Sequence, residues 1–268
     1  MKISDLYKLN SIKNQEVNYI LKNLLNLTDR QISLNIDLTD KMIKQFLEAQ
    51  KKVEDKVPLQ YVVGNTNFYG YEFKVNPSVL IPRPETECLV QETIKRIKNF
   101  DNPVIADVAT GSGCIAITLS KELNSLVYAS DISSEALMIA KENNNINKAN
   151  VNFYEGDMLT PYIDNKIRLN ILVSNPPYIS KTEKIEEAVY NNEPHLALFA
   201  DFNGLEFYKK ILKDAKKVLL DKYLMVFEIG STQATDVLNM AKEYFPEAKM
   251  EVKKDLCGRN RMIFVYNY

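Results

Sequence analysis

Histidine, cysteine and net charge are all scarce in this chain of 268 residues. His195 is the only histidine, and the three cysteines, Cys88, Cys114 and Cys257, lie far apart with no CxxC pair. This excludes a Cys/His zinc site and points to a reducing, cytoplasmic setting. Lysine plus arginine number 34 against 35 aspartate plus glutamate, a formal net charge of -1. Bulk electrostatics therefore give no support to duplex binding, and only a local basic patch stays open. The opening MKISDLYKLN has no apolar h-region, and no uninterrupted apolar run is long enough for a membrane, so a soluble intracellular protein is expected. What is abundant is core material. Hydrophobic residues make up 46% of the chain, enough to fill two modest domains, and no internal repeat organises them.

In the first 57 residues Val17, Ile20, Leu21, Leu24 and Leu25 make one apolar helix stripe, and Met42, Ile43, Phe46 and Leu47 make another. Thr28-Asp29-Arg30-Gln31 has the form of a capping box, and Thr39-Asp40 opens the second stripe. These features predict a small helical domain over residues 1–57. In the linker, residues 58–76, the β-branched and aromatic stretches Gln60–Val63 and Tyr69–Val75 flank Gly64-Asn65 and predict a β-hairpin. Residues 77–268 form the main domain. Its first segment, Leu80-Ile81-Pro82-Arg83-Pro84-Glu85-Thr86-Glu87, cannot be helical before Pro84, and a helix through Leu89, Val90, Ile94 and Ile97 should follow.

Val104–Val108 reads as a strand, Ala109-Thr110-Gly111-Ser112-Gly113 as a tight small-residue loop, and Cys114–Leu123 as an apolar helix. Backbone N–H groups and a helix N-terminus so arranged receive an anionic group. Asp131 closes the next strand about 20 residues beyond Gly111, the position from which a carboxylate takes ribose hydroxyls. The run Gly111–Ala116 also satisfies the dinucleotide pattern G-x-G-x-x-A, so a nicotinamide enzyme has to be weighed. That reading leaves Asn175-Pro176-Pro177-Tyr178, at the end of the apolar run Ile171-Leu172-Val173, without a task.

An Asn side-chain oxygen and the following carbonyl can accept both hydrogens of one NH2 group, fixing its nitrogen as a nucleophile. The two prolines stiffen the loop, and Tyr178 can lay its ring on a flat amide or base. A Pro-rich turn explains the tetrapeptide alone equally well. S-adenosylmethionine uses all the features together. The loop Ala109–Gly113 takes its methionine end, Asp131 the ribose, Asp157 and Met158 the adenine edge and face, with Asn175 alongside.

Ile81–Glu87, Ala109–Ala116 and Ser174–Ile179, with Glu193-Pro194, Glu228-Ile229-Gly230 and Arg259 with Arg261, resemble the protein-(glutamine-N5) methyltransferases of the PrmC/HemK family, which modify peptide chain release factors. The resemblance covers nearly the whole chain. It implies an α/β fold, a Rossmann-like class I S-adenosylmethionine-dependent methyltransferase with a seven-stranded mixed sheet whose last strand is antiparallel. It implies methyl transfer to the side-chain amide nitrogen of the glutamine in the Gly-Gly-Gln motif of release factors. Asn175 and the Pro176 carbonyl would hold the amide, with Pro177 stiffening the loop and Tyr178 packing on the substrate. The head would dock the release factor, and a monomer without membrane attachment or sequence-specific nucleic-acid binding is expected. Ala109 stands where the family usually has glycine, and Met158 where it often has an aromatic or other large apolar residue. An adenine N6 methyltransferase and a non-catalytic binding module are the rival readings.

Overall fold

The structure, a computed structural model, describes residues 1–268 apart from the side chain of Leu9. The head contains α1 (Ile3–Leu9), α2 (Asn14–Asn23), α3 (Asp29–Ser33) and α4 (Asp40–Glu54). The capping box of α3 is closed in both directions, with Thr28 Oγ1 accepting from Gln31 N at 3.3 Å and Gln31 Oε1 accepting from Thr28 N at 2.9 Å. Thr39 Oγ1 likewise caps α4 through Met42 N, each such cap contributing about 1 kcal/mol. Val17, Ile20, Leu21, Leu25, Phe46 and Ala49 are buried together in a core separate from that of the sheet. One expected core position is not there: Leu47 is 53% exposed. Phe46, Ala49 and Val53 define the inward line of α4 at i, i+3 and i+7, and Leu47 falls a hundred degrees off it.

The linker differs in register from its sequence reading. Gln60–Val63 is not a strand but part of α5 (Leu59–Val63), because Pro58 sets the entry and Gly64, at φ 87°, closes a left-handed C-cap. The hairpin is made by β1 (Asn65–Phe68) and β2 (Tyr71–Lys74), and it turns at Tyr69-Gly70, where φ is 53° and 80°. Two positive φ values match the twist of the paired strands. Phe68 and Phe73 meet edge to face and bury into the sheet domain. Buried Asn143 then fastens the hairpin. Its Oδ1 accepts from Lys74 N at 2.6 Å and its Nδ2 donates to the Lys74 and Ser112 carbonyls.

After α6 (Pro84–Ile97) the chain alternates through β3 (Ile105–Val108), α7 (Cys114–Leu123), β4 (Val127–Asp131), α8 (Ser134–Asn147), β5 (Val151–Glu155), α9 (Thr160–Asp164) and β6 (Leu169–Ser174). A covering segment follows, with β7 (Ile179–Ser180), α10 (Glu187–Asn192), α11 (His195–Leu198), β8 (Phe199–Ala200) and the single distorted turn α12 (Asp201–Gly204). Finally come α13 (Glu206–Val218), β9 (Leu219–Glu228), α14 (Ala234–Tyr244), β10 (Lys249–Lys254) and β11 (Asn260–Tyr266). The main sheet has seven strands in the order β10-β11-β9-β6-β3-β4-β5. β11 runs antiparallel to both its neighbours, and the pairs from β9 to β5 are parallel.

Alternation along the strands divides the interior into two cores. Ile105, Ile171, Val173, Leu224, Val226 and Phe264 face α6 and α7, while Ala106, Val108, Leu172, Met225, Phe227 and Ile263 face α9, α13 and α14. Chain order runs outward from β3 to β5 and then returns to β6 on the other side of β3. Such a reversal opens a crevice at the carboxyl ends of the two strands beside it, here β3 and β6.

Candidate active site

Register alone brings the functional residues together. Val108 lies opposite Ser130 on one side and Ser174 on the other, and Ser174 lies opposite Phe227. One residue further along each strand stand Ala109, Asp131, Asn175 and Glu228, a row across four carboxyl ends. The crevice above it is a cavity of about 480 Å³, within the range of small-molecule sites.

The glycine loop after β3 forms one wall. Asp107, fully buried beneath it, accepts from Thr110 Oγ1 at 2.5 Å and from Ala116 N at 3.2 Å through Oδ2, tying the loop to the first turn of α7. Its other oxygen has no partner, and burial pushes the carboxyl up to about 7. Asp131 accepts from Gly111 N at 2.8 Å and from Ser133 N at 3.0 Å, one oxygen to each. Burial raises its pKa, and those N–H groups oppose the rise. A Cβ on Gly111 would meet no atom within 4 Å, so the loop leaves open space beside its backbone. Gly113 is closed instead: a Cβ there would come within 2.9 Å of Ile117 Cδ1 and 3.2 Å of Ala140 Cβ. The open loop, the first-turn N–H groups of α7 and the Asp131 carboxylate are the donor and acceptor set for a nucleoside carrying an anionic tail. Asp157 and Met158 extend this wall. Met158 is nearly buried and apolar, and Asp157 Oδ2 is 3.4 Å from Lys210 Nζ, which also pairs with Glu206.

The opposite wall carries Asn175 and Pro177. Asn175 Nδ2 donates to Thr86 Oγ1 at 3.3 Å, and Thr86 Oγ1 donates to Glu228 Oε2 at 2.7 Å. Glu228 is 2% exposed, and its desolvation pushes its carboxyl up to about 7 despite the Thr86 bond and the Arg261 charge. The second Glu228 oxygen faces the Tyr178 hydroxyl at 3.4 Å. Gln233 Nε2 holds the Tyr178 carbonyl at 2.9 Å. At the rim, the half-exposed Arg83 pairs with buried Glu193, clamping the proline-rich loop to the covering segment. His195 lines the rim with Leu196, its Nε2 at 2.8 Å from the Tyr190 carbonyl and its ring against Tyr190 and Phe199.

Of the residues singled out in the sequence, Ala109, Thr110, Gly111, Ser112, Asp131, Asp157, Met158, Asn175 and Pro177 line one cavity. Gly113, Pro176 and Tyr178 do not line it. Gly113 sits beneath the loop at the α7–α8 contact, and the Tyr178 ring packs toward the core as an anchor of its own loop. Thr86, Arg83, Glu193, Lys210 and Glu228 are the additions. Arg83, Thr86, Glu193 and Glu228 stood in the segments that carry the resemblance without a role assigned to them, and the Thr86 and Arg83 pairings join residues more than a hundred positions apart.

Comparison with known proteins agrees with this geometry. The methyltransferase small domain matches residues 85–192. A release factor glutamine methyltransferase of Bacillus cereus is 38% identical over 92% of this chain and 88% of its own. One of Bacillus subtilis is 44% identical over 82% of this chain and 78% of its own. A methyltransferase of Pyrococcus furiosus superposes over 85% of this chain and 98% of its own with a TM-score of 0.54 at 16% identity, which speaks for the fold. Identity of this level across nearly the full length, with the Ile-Pro-Arg-Pro-Glu-Thr-Glu and Asn-Pro-Pro-Tyr segments at one methyltransferase cavity, makes the chain a member of the release factor glutamine methyltransferase family.

Proposed function

We propose that the protein transfers the methyl group of S-adenosylmethionine to the side-chain amide nitrogen of the glutamine in the Gly-Gly-Gln motif of peptide chain release factors, in the cytoplasm. The observation that carries this reading is the Asn175 amide, whose NH2 end is occupied by Thr86 while the residue borders the cavity shared with the glycine loop and Asp131. Its oxygen accepts from no group of the protein, and an oxygen is what an incoming NH2 group requires.

The residues present fit the cofactor. The open backbone beside Gly111 and the first turn of α7 would take the methionine carboxylate, Asp131 the ribose hydroxyls, and Asp157 with Met158 the adenine. Bound there, S-adenosylmethionine supplies an electrophilic methyl group on a sulfonium. The chain's own residues do the rest by placement. Asn175 Oδ1 accepts an amide hydrogen and fixes the nitrogen in place; Pro176, which the sequence reading paired with it, does not line the cavity and is left to hold the loop. Pro177, with no N–H and a fixed φ, stiffens the backbone that carries Asn175. Alignment of this kind is worth on the order of 7 to 11 kcal/mol at best, and the amide nitrogen, made cationic by the methyl it receives, releases one proton to solvent after transfer. Tyr178, through Glu228 and Gln233, holds the loop at its far end. The helical head, with no polar cluster of its own at the cavity, supplies docking area for the release factor. Incubation of the protein with a purified release factor and labelled cofactor, followed by mass spectrometry of the Gly-Gly-Gln peptide, tests the reading. Label on that glutamine supports it, and label elsewhere or on nucleic acid overturns it.

A further inference from the structure

Asn175 has two ends of nearly equal shape and opposite hydrogen-bonding character, and only one presentation suits an amide NH2 group. With the oxygen toward the cavity the residue accepts; flipped, it would set one NH2 against another. Pro176 and Pro177 fix the backbone but are indifferent to this choice. Something else must select the end.

The selecting chain starts at a residue that does not touch the cavity. Glu228 is buried at the end of β9, outside the cavity lining, and once ionised, above about pH 7, it can only accept from the two hydroxyls that face it. Its Oε2 takes the single proton of Thr86 Oγ1 at 2.7 Å. With that proton committed, the Thr86 oxygen offers Asn175 only lone pairs, and it is the Asn175 NH2 end that lies 3.3 Å away. The second Glu228 oxygen is engaged by the Tyr178 hydroxyl, so the carboxylate is held from two sides. Thr86 itself is held by the first turn of α6, where its backbone N–H donates to the Arg83 carbonyl at 3.1 Å. We propose that Thr86 and Glu228 are positioning residues which fix the flip of the Asn175 amide and so aim its oxygen at the substrate. The proposal rests on the methyltransferase reading above and deepens it: the proline-rich segment before α6 and the end of β9 belong to the substrate-orienting apparatus.

The variants are chosen by which message they interrupt. Thr86→Val keeps the shape and deletes the hydroxyl, so Asn175 loses its guide; Thr86→Ser keeps the hydroxyl. Glu228→Gln keeps the volume but offers a donor to Thr86, whose own proton then turns toward Asn175 and favours the wrong end. With saturating cofactor at about pH 8, where Glu228 is ionised, Thr86→Val and Glu228→Gln should each lower kcat for release factor methylation by about tenfold to a hundredfold, the scale of one misplaced hydrogen-bonding group. KM for the release factor and the calorimetric affinity for S-adenosylhomocysteine should stay within about twofold of wild type. Thr86→Ser should recover most of the lost kcat, and the double variant should be no slower than either single variant, since the signal passes through one hydroxyl. An orientation readout stands apart from activity. The Asn175 side-chain NH2 resonance, assigned by its loss in Asn175→Ala, should exchange slowly in wild type and quickly in Thr86→Val. That result holds even if wild type proves to methylate something other than a release factor, so failure of the two ideas can be told apart. Unchanged amide exchange in Thr86→Val, wild-type kcat in Glu228→Gln, or losses confined to cofactor affinity would overturn the proposal.

Discussion

Asp131 Oδ2 accepts the Gly111 N–H at 2.8 Å, so the acid that ends β4 and the loop that follows β3 form one unit. The carboxylate therefore serves the site twice, by shaping the glycine loop and by facing the ribose position. Asp131→Ala should weaken S-adenosylhomocysteine binding by roughly 2 to 4 kcal/mol, the loss expected when charge-assisted bonds and their support go together. Titration calorimetry reads this directly, and an unchanged affinity would remove Asp131 from the cofactor site.

Gly113 is required for packing and for backbone conformation at once. Its φ is 82°, a region that costs an L-residue roughly 1–2 kcal/mol, and an added Cβ would press on Ile117 and Ala140. Gly113→Ala should lower the urea midpoint by an amount equivalent to about 2 kcal/mol or more. Ala109 makes a useful contrast, since it already occupies φ 60° with a Cβ. Ala109→Gly should leave stability within about 1 kcal/mol of wild type, because relieved strain is offset by the freedom glycine gains when unfolded.

Two buried carboxyls give stability a pH dependence of definite sign. Asp107 and Glu228 rise from 3.8 and 4.5 to about 7, chiefly through burial. Between about pH 4.5 and 7 the folded chain then holds more protons at these sites than the unfolded one, so their contribution is greatest at the acid end and is lost as pH rises through 7. Urea midpoints should fall between about pH 5 and pH 8. Asp107→Asn should flatten that slope while keeping an oxygen for Thr110 and Ala116. An equal slope in the variant would show that Asp107 does not titrate there.

Much of this arrangement was legible because its signals are local. The capping box of α3, the small-residue loop before α7, the acid ending β4 and the tetrapeptide after β6 each lie within a few residues of the strand or helix they serve. The stretch Gln60–Val63 misleads because its β-branched residues favour strand, whereas Pro58 and the left-handed Gly64 bound a single helical turn. Leu47 misleads because a stripe of four apolar residues is wider than the contact it makes. Thr86 with Glu228 and Arg83 with Glu193 were illegible for a different reason. Their partners meet only after the sheet has closed, and no spacing in the chain encodes a pair 142 or 110 positions apart.

The exposed Leu47 lies beside Ile43 along the outer side of α4, an apolar position on the head ringed by charges of both signs, Asp40, Lys44, Glu48 and Lys51. If the head docks the release factor, Leu47→Asp should raise KM for that substrate by about fivefold, the effect of one interface residue worth about 1 kcal/mol. The rate at saturation and the cofactor affinity should not change. A parallel fall in kcat would mean that α4 acts on the chemistry or the fold rather than on docking.

The central claim is that Asn175 orients the nucleophile and contributes little to holding the cofactor. Single-turnover methylation of a release factor by Asn175→Ala, with cofactor and protein substrate both saturating, tests it most directly. The account predicts a chemical step slowed by about a hundredfold or more, with S-adenosylhomocysteine affinity and urea midpoint close to wild type. A wild-type chemical step in this variant would make Asn175 a turn former at the end of β6 and would contradict the assignment of the site.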